Sequence, residues 1–337
     1  MIIGTIRETL PFENRVAISP ESTRKLIALG FKVIIEKNAG ILSGFPDEQY
    51  IASGALIKNN FRDILKMTDI LLQVNTPKSE QLKNLKAQST IIGNLKNLKD
   101  KKTISFLQSI KTTCFALEKL PRTSNSQPFD ILSSQDNLSG YQAIMVASNL
   151  SKKIFPLMIT SAGTIPPLKV LIIGVGVAGL QAIATAKRLG AKVFAFDVRE
   201  DVANQVKSLN ATFVDNIKNI IHDVDIIITS AFQANKKPPK TINNNLLNSL
   251  KKGAVIIDLA AEYGGNTNYT KDFKLIKYSN YLIYGNSNLS SLIPYSASTL
   301  YANNLANFVE YIYSAEQKNI ILDFNDIIIS ETCIMKG

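Results

Sequence analysis

The sequence predicts an α/β protein with two doubly wound parallel-sheet domains joined by two long helices. Three observations lead there. Strand-like and helix-like runs alternate through both halves of the chain. A polar stretch, Pro121-Arg-Thr-Ser-Asn-Ser-Gln-Pro128, interrupts the alternation and reads as an exposed loop. In the second half, an apolar run enters a glycine-rich turn and leaves it as a helix.

The first third starts with a strand over residues 2–6. Ser19-Pro20-Glu21 marks a helix start, with Ser19 as N-cap and Pro20 at the first helical position. That helix stops near Gly30. A strand follows over 32–36 and a helix over 47–53. Further strands are read over 69–74, 89–93 and 112–117, with helices between them. After the polar loop, a long helix spans about 133–153. Strands near 168–173, 191–196, 211–214, 224–229, 254–258 and 281–284 form the second series. A second long helix, about 297–314, is placed to return the chain to the first domain. The expected domains are therefore 1–132 plus 297–337, and 133–296. No internal repeat, heptad pattern or low-complexity tail stands out.

The glycine turn carries the chemistry. Gly174, Gly176 and Gly179 form Gly-x-Gly-x-x-Gly between the apolar run from Val170 and the helical run to Leu189. A second strand-like run ends at Asp197, 18 residues beyond Gly179. This is the Rossmann-like dinucleotide-binding arrangement with its context intact. Gly174 permits the tight turn, Gly176 lets backbone approach a pyrophosphate, and Gly179 lets helix and strand pack closely. The helix N-terminus offers N–H groups and the positive end of its dipole to the phosphates. Asp197 is placed to accept from a ribose 2′-hydroxyl and to repel a 2′-phosphate, so NAD(H) is expected rather than NADP(H). Val175 and Val177 belong to the turn. Val198 and Arg199 end the second strand beside Asp197, and Phe232 follows the strand at 224–229. All five are assigned to the cofactor site. Residues 170–186 are 17 residues without a charge, at the lower limit for a membrane span. Three glycines near the start and Lys187-Arg188 at the end suit a buried strand and helix better.

Composition narrows the function. The chain has 337 residues, enough for two domains, with 45% hydrophobic and 19% charged residues. Met1-Ile-Ile-Gly-Thr-Ile6 reads as a strand and not as a secretion signal. Cys114 and Cys333 are the two cysteines and His222 the one histidine. No metal-ligand spacing or disulfide framework arises, so no metal is expected and a reducing cytoplasm is the simplest setting. The net charge is +11. Its lysines are scattered among asparagines without aromatic interleaving, which reads as solvated faces rather than a nucleic-acid platform.

Along nearly its whole length the chain resembles a known family, the NAD(H)-binding component (domain I) of proton-translocating NAD(P) transhydrogenases, relatives of alanine dehydrogenase. The motifs that carry the resemblance are Glu13-Asn-Arg-Val-Ala-Ile-Ser-Pro20, Pro121-Arg122, Asp130-Ile-Leu-Ser-Ser-Gln135 with Gly140-Tyr141, and Ala162-Gly-Thr-Ile-Pro-Pro167. The run from Gly174 to Gly190, Asp197-Val-Arg199, and Val255-Ile-Ile-Asp-Leu-Ala260 with Gly264-Gly-Asn266 continue it. The resemblance implies that Arg122, Gln127 and Asp130, with Ser133 just after, position a nicotinamide. Hydride transfer between two nicotinamides needs close approach, ring orientation and exclusion of water, not an acid or base. The resemblance further implies NADP(H) on a partner domain, a membrane-spanning subunit, an NADP(H)-binding beta subunit and a homodimer. The setting it implies is the cytoplasmic face of the inner membrane, with this chain peripheral to it. Arg15 matches a family arginine, read equally as an ion pair or a ligand contact.

The chain also departs from the family. Residues 215–223 are about nine where the family carries a longer insertion with a loop that closes over the nucleotide. Gln233-Ala-Asn235 replaces a Pro-Gly, and Asn286-Ser-Asn-Leu-Ser-Ser-Leu292 replaces a His-Thr-Asn-x-Pro-Ser-Arg run. These departures keep open a catalytically impaired NAD-binding scaffold or sensor. A free-standing alanine dehydrogenase would need a lysine and a histidine where this chain has Gln73 and Asn94.

Overall fold

The computed structural model describes residues 1–232 and 236–337, and Gln233-Ala-Asn235 lies outside the described residues. In chain order the regular elements begin β1 (Ile2–Thr5), α1 (Pro20–Ala28), β2 (Lys32–Glu36), α2 (Asp47–Ala52), β3 (Leu56–Lys58) and α3 (Phe61–Met67). Next come β4 (Ile70–Asn75), α4 (Ser79–Leu82), β5 (Thr90–Asn94), α5 (Lys101–Ser109), β6 (Thr113–Ala116) and α6 (Ile131–Ser151). Then follow β7 (Met158–Thr160), β8 (Gly163–Ile165), β9 (Lys169–Ile173), α7 (Val177–Arg188), β10 (Lys192–Phe196) and α8 (Ala203–Ser208). The series continues with β11 (Thr212–Phe213), β12 (Ile226–Thr229), α9 (Asn244–Asn248), β13 (Val255–Asp258), β14 (Lys274–Tyr278) and β15 (Tyr281–Gly285). It ends with α10 (Pro294–Ile312), β16 (Tyr313–Ser314), β17 (Asn319–Ile320), α11 (Ile327–Thr332) and β18 (Cys333–Met335). The chain divides into two compact units, Met1–Gln135 with Ser291–Gly337, and Asp136–Ser290.

The first unit holds a seven-stranded sheet in the order β18-β6-β5-β4-β1-β2-β3. It is parallel except for β18, which runs antiparallel to β6. Both faces are covered, so its strands are apolar on both sides. Ile3, Leu72 and Ile92 face one core with Tyr301, Leu305 and Phe308 of α10, while Leu71, Ile91 and Cys114 face the other with Ile64 and Leu107. Ser19 caps α1 as the sequence predicts, accepting from the Ser22 N–H at 3.1 Å, with Pro20 at the first helical position.

The second unit holds a seven-stranded sheet in the order β11-β10-β9-β12-β13-β15-β14. It is parallel apart from β14, which pairs antiparallel with β15. Val170 and Ile172 face one core with Ala182 and Ala186 of α7, and Leu171 and Ile173 face the other with Ile227 and Ile256. That two-sided burial accounts for the uncharged stretch 170–186, which is β9, the glycine turn and most of α7. Among the described residues no helix is long and apolar enough to cross a membrane. Gly140 of α6 is required by packing, because a Cβ there would lie 2.1 Å from the Ala178 carbonyl oxygen.

Several expectations need correcting. The long helices run two to three residues earlier than read, at Ile131–Ser151 and Pro294–Ile312. The loop 121–128 is only partly irregular: a 3-10 helix covers Ser124–Phe129 and buries Ser126 and Phe129. The edge strands β3, β14 and β18 and the β7–β8 hairpin escaped the reading. They are short or half-exposed, so their patterns carry little apolar periodicity.

Candidate functional site

The glycine turn sits where the strand order of the second sheet reverses, at the carboxyl end of β9 between β10 and β12. In open α/β sheets that is where ligands bind. Gly174 has φ +95°, a backbone conformation that side-chain-bearing residues rarely adopt, and its space is closed by the backbone of Ser230 and Ala231. Gly179 is fixed by packing, because a Cβ there would stand 2.0 Å from the Gly174 oxygen. Gly176 is different. A Cβ there would meet nothing within 4 Å, so the turn presents bare backbone to open space. Gly176 is also the N-cap of α7 and supplies no capping side chain. The first N–H groups of α7, a 12-residue helix, therefore lack an intrahelical or side-chain partner and carry the positive end of its dipole. Val177 opens the helix and is partly exposed, while Val175 is buried.

Asp197 stands beside this turn, just after β10. Its carboxylate accepts the Val175 N–H at 2.7 Å and the Arg199 N–H at 2.9 Å. Arg199 also forks onto it, with Nε at 3.0 Å and a terminal nitrogen at 3.1 Å, and donates to the Val175 carbonyl at 3.2 Å. Burial works against the charge. The Arg199 hydrogen bonds and the Val175 N–H outweigh it and hold the carboxyl below its ordinary range. Val198 between them is 81% exposed. Asp197 is thus an ionised acceptor braced against the turn, partly neutralised by Arg199.

On the other flank, the Ser230 hydroxyl donates to the Gly174 carbonyl at 3.0 Å. Asp258, which ends β13, is fully buried and accepts the N–H groups of Ala260 at 3.0 Å and Asn266 at 2.6 Å and the Thr270 hydroxyl at 2.6 Å. Asn266 in turn donates through its amide to the carbonyls of Ala231 and Pro239, both at 2.8 Å. Asp258, Asn266 and Thr270 were given no role from sequence. The available signal was an acidic strand end followed by Gly-Gly-Asn. These donor and acceptor groups, the bare backbone at Gly176 and the open helix end suit a dinucleotide pyrophosphate and ribose.

The loop residues belong to the first unit. Arg122 and Gln127 are exposed. Asp130 does not clip to Arg122. It takes the Ser133 N–H at 2.8 Å and the Ser133 hydroxyl at 2.6 Å, so Asp130 and not Ser133 caps α6. The first unit also gathers a polar cluster that the sequence did not assemble. Arg15 pairs with Glu13 at 2.7 Å and donates to Gln135 at 2.8 Å. Asn75 donates to Glu13 at 2.9 Å and to Glu8 at 3.3 Å, and Glu8 accepts the Val74 N–H at 2.7 Å. Burial and the neighbouring Glu13 charge push the Glu8 carboxyl up to about 8. Burial would also raise Glu13, but Arg15 outweighs it and holds Glu13 down at about 2. Ser291 anchors the same segment, accepting from the Asn14 N–H and donating to the Phe12 carbonyl, both at 2.8 Å. Gln73 hydrogen-bonds with the Thr5 hydroxyl at 3.1 Å, and the Asn94 N–H donates to Tyr301 at 3.1 Å. Among the described residues no group of His, Cys, Asp and Glu gathers that could hold a metal, and His222 is exposed.

Comparison with known proteins decides the family. The alanine dehydrogenase/PNT N-terminal domain matches residues 4–139, and the C-terminal domain of the same family matches residues 143–337. The chain belongs to the alanine dehydrogenase/PNT family. It is 35% identical to the first of the polypeptides named as NAD(P) transhydrogenase subunit alpha in Rhodospirillum rubrum, covering 100% of this chain and 96% of that one. It is 34% identical to the NAD(P) transhydrogenase subunit alpha of Haemophilus influenzae, across 100% of this chain and 71% of the relative. A solved transhydrogenase from Sinorhizobium meliloti superposes with a TM-score of 0.94 at 36% identity, covering 100% of this chain and 99% of that one. Within the alanine dehydrogenase/PNT family, then, the similarity runs to transhydrogenase alpha chains from end to end.

Proposed function

We propose that this chain is the NAD(H)-binding component of a proton-translocating NAD(P) transhydrogenase. It works with a partner domain that holds NADP(H), a membrane-spanning subunit and an NADP(H)-binding beta subunit, as a homodimer peripheral to the cytoplasmic face of the inner membrane. The observation that carries the reading is the open, uncapped glycine turn braced by Asp197, in a chain similar from end to end to transhydrogenase alpha chains. Gly176, Val177 and Gly179 hold the pyrophosphate through backbone N–H groups, and Gly174 and Val175 shape the turn, their own N–H groups being taken by the Phe196 carbonyl and Asp197. Asp197 accepts from the adenosine ribose, with Val198 and Arg199 closing that end. When bound, the nicotinamide supplies or accepts the hydride. Arg122, Gln127 and the Asp130–Ser133 pair orient its ring and carboxamide and exclude water, which is the positioning such a transfer needs.

No acid or base is required. Gln73 and Asn94 stand where an alanine dehydrogenase would place a lysine and a histidine, which disfavours amine chemistry. The scaffold reading keeps one specific support. Residues 215–223 are short and pack down, with Ile217 and Ile221 buried in the core, so they do not form a lid.

The test is hydride transfer in a mixture of this chain, the NADP(H)-binding domain, NADPH and an NAD⁺ analogue whose reduction has its own absorbance. NADH titration is the binding control. Transfer that needs both proteins supports the proposal. Binding without transfer moves the reading to a scaffold, and no binding sinks both. Gln127→Asn and Ser133→Ala should slow transfer far more than they weaken NADH binding; equal losses would mean that the loop only binds.

A further inference from the structure

Lys240 is one of the lysines that the sequence leaves on a solvated face, yet its ammonium group is fully engaged. It donates to the main-chain carbonyls of Gly264 at 2.5 Å, Gly265 at 2.8 Å and Thr267 at 2.9 Å. An ammonium group has three N–H donors, and each meets one carbonyl here. The acceptors are dipoles of a single turn and not a carboxylate. The lysine therefore acts as a compact central charge, as a potassium or ammonium ion does among backbone carbonyls.

The turn is built to bring these oxygens together. Gly264 and Gly265 have φ +102° and +72°, and a Cβ on Gly265 would stand 2.4 Å from the Thr270 Cβ. Side-chain-bearing residues rarely adopt such a pair of conformations, and this space leaves no room for one. Three carbonyl oxygens aimed at one point repel one another, and a cation between them removes that cost.

The same cation laces two strand-end segments. Lys240 lies between Pro239, whose carbonyl accepts from the Asn266 amide at 2.8 Å, and Ile242, whose N–H donates to the Asn266 carbonyl at 3.1 Å. The Asn266 amide also donates to the Ala231 carbonyl at 2.8 Å. The backbone of Ser230 and Ala231 in turn closes on Gly174. A line of direct contacts thus runs from Lys240 through the 264–267 turn and Asn266 to the glycine turn. We propose that Lys240 is a built-in monovalent cation, whose place among the carbonyls of Gly264, Gly265 and Thr267 sets the wall of the glycine turn and with it the affinity for NAD(H). The affinity role rests on the NAD(H) reading above. Lys240 acts through the turn and is a positioning residue. Removing its side chain converts the carbonyl cage into a site for free K⁺ or NH₄⁺.

The experiment titrates the full chain with NADH in tetramethylammonium, potassium or ammonium chloride at equal ionic strength. The proteins are wild type, Lys240→Met, which fills the space without a charge, and Lys240→Ala, which leaves room for an ion. In tetramethylammonium both variants should bind NADH about 3- to 10-fold more weakly than wild type. Potassium or ammonium should bring Lys240→Ala back to within about twofold of wild type and leave Lys240→Met weak. Tm should rise with the same ions in Lys240→Ala alone. A generally loosened fold would not tell these ions apart. A Lys240→Ala protein that responds equally to all three salts overturns the proposal, as do variants that bind NADH as wild type does. Amine labelling of the wild type, mapped by mass spectrometry, should modify Lys240 more slowly than the exposed Lys236 and Lys237. That readout needs no variant to fold, and equal labelling rates overturn the cage. A wild type that binds no NADH overturns the NAD(H) reading and the affinity role with it, while the ion-dependent Tm still reports the cage.

Discussion

At the carboxyl ends of β1 and β4, where the strand order of the first sheet reverses, Glu8 accepts the N–H groups of Val74 and Asn75. At the corresponding reversal of the second sheet, between β9 and β12, Gly176 offers bare backbone and α7 begins without a capping side chain. The two sheets share a topology and treat its natural ligand position oppositely. The first unit fills the position with its own Glu8 carboxyl group and locks Glu13, Arg15 and Gln135 around it. The second leaves donors without protein acceptors, at a helix end where an anion is favoured. A shared fold therefore does not mean a shared site; what distinguishes the two is whether the polar groups at the strand ends are already satisfied.

The comparison can be broken most forcefully in the first unit. Glu13→Gln removes the carboxylate that pairs with the buried Arg15 and should destabilise the first unit by about 3–5 kcal/mol. Thermal unfolding and denaturant titration would read this loss. A shift below about 1 kcal/mol would mean that the cluster is not the closed structural site described.

In the second unit the expected effect falls on binding and not on folding. Gly176→Ala places a methyl in open space at an ordinary φ of −85°, so Tm should hold while NADH affinity falls at least about tenfold, or roughly 1.4 kcal/mol. Unaltered affinity would remove the backbone approach at Gly176 from the proposal. Gly179→Ala is the counterpart, since its Cβ would strike the Gly174 carbonyl and cost both stability and binding.

A smaller effect is expected at Asp197→Ala. It weakens NADH binding and, by releasing Arg199 from its carboxylate, relaxes discrimination against NADPH. Equal selectivity before and after would exclude the ribose role of Asp197.

The smallest effect is a pH slope. Glu8 has a folded pKa raised to about 8, so its contribution to stability is complete below its ordinary value and declines as pH rises through 8. Glu13, held near 2, contributes the opposite way: its stabilisation is present above the ordinary value and is lost as pH falls towards 2. Glu8→Gln should flatten the fall of Tm between about pH 4.5 and 8. Parallel curves for wild type and variant would show that Glu8 is solvated and does not fill the first unit as described.

Local physics made much of this molecule legible from its sequence. The Ser19-Pro20 start of α1, the apolar run of β9 and the glycine turn depend on φ preferences, capping and periodicity, which act within a few residues. The family resemblance also rests on contiguous motifs. Tertiary structure alone decided the rest. Glu8 meets Asn75, and Arg15 meets Gln135, across long stretches of chain, and no spacing rule announces such pairs. Asp130 caps α6, because the helix begins at Ile131 and not at about 133 as its pattern predicts. The edge strands β14 and β18 exist through their partners, β15 and β6, and not through their own pattern. The Asp258–Asn266 frame likewise arises where separate strand ends converge. Burial, charge pairing and ring stacking at such points depend on which distant residues meet, and only the folded chain brings them together.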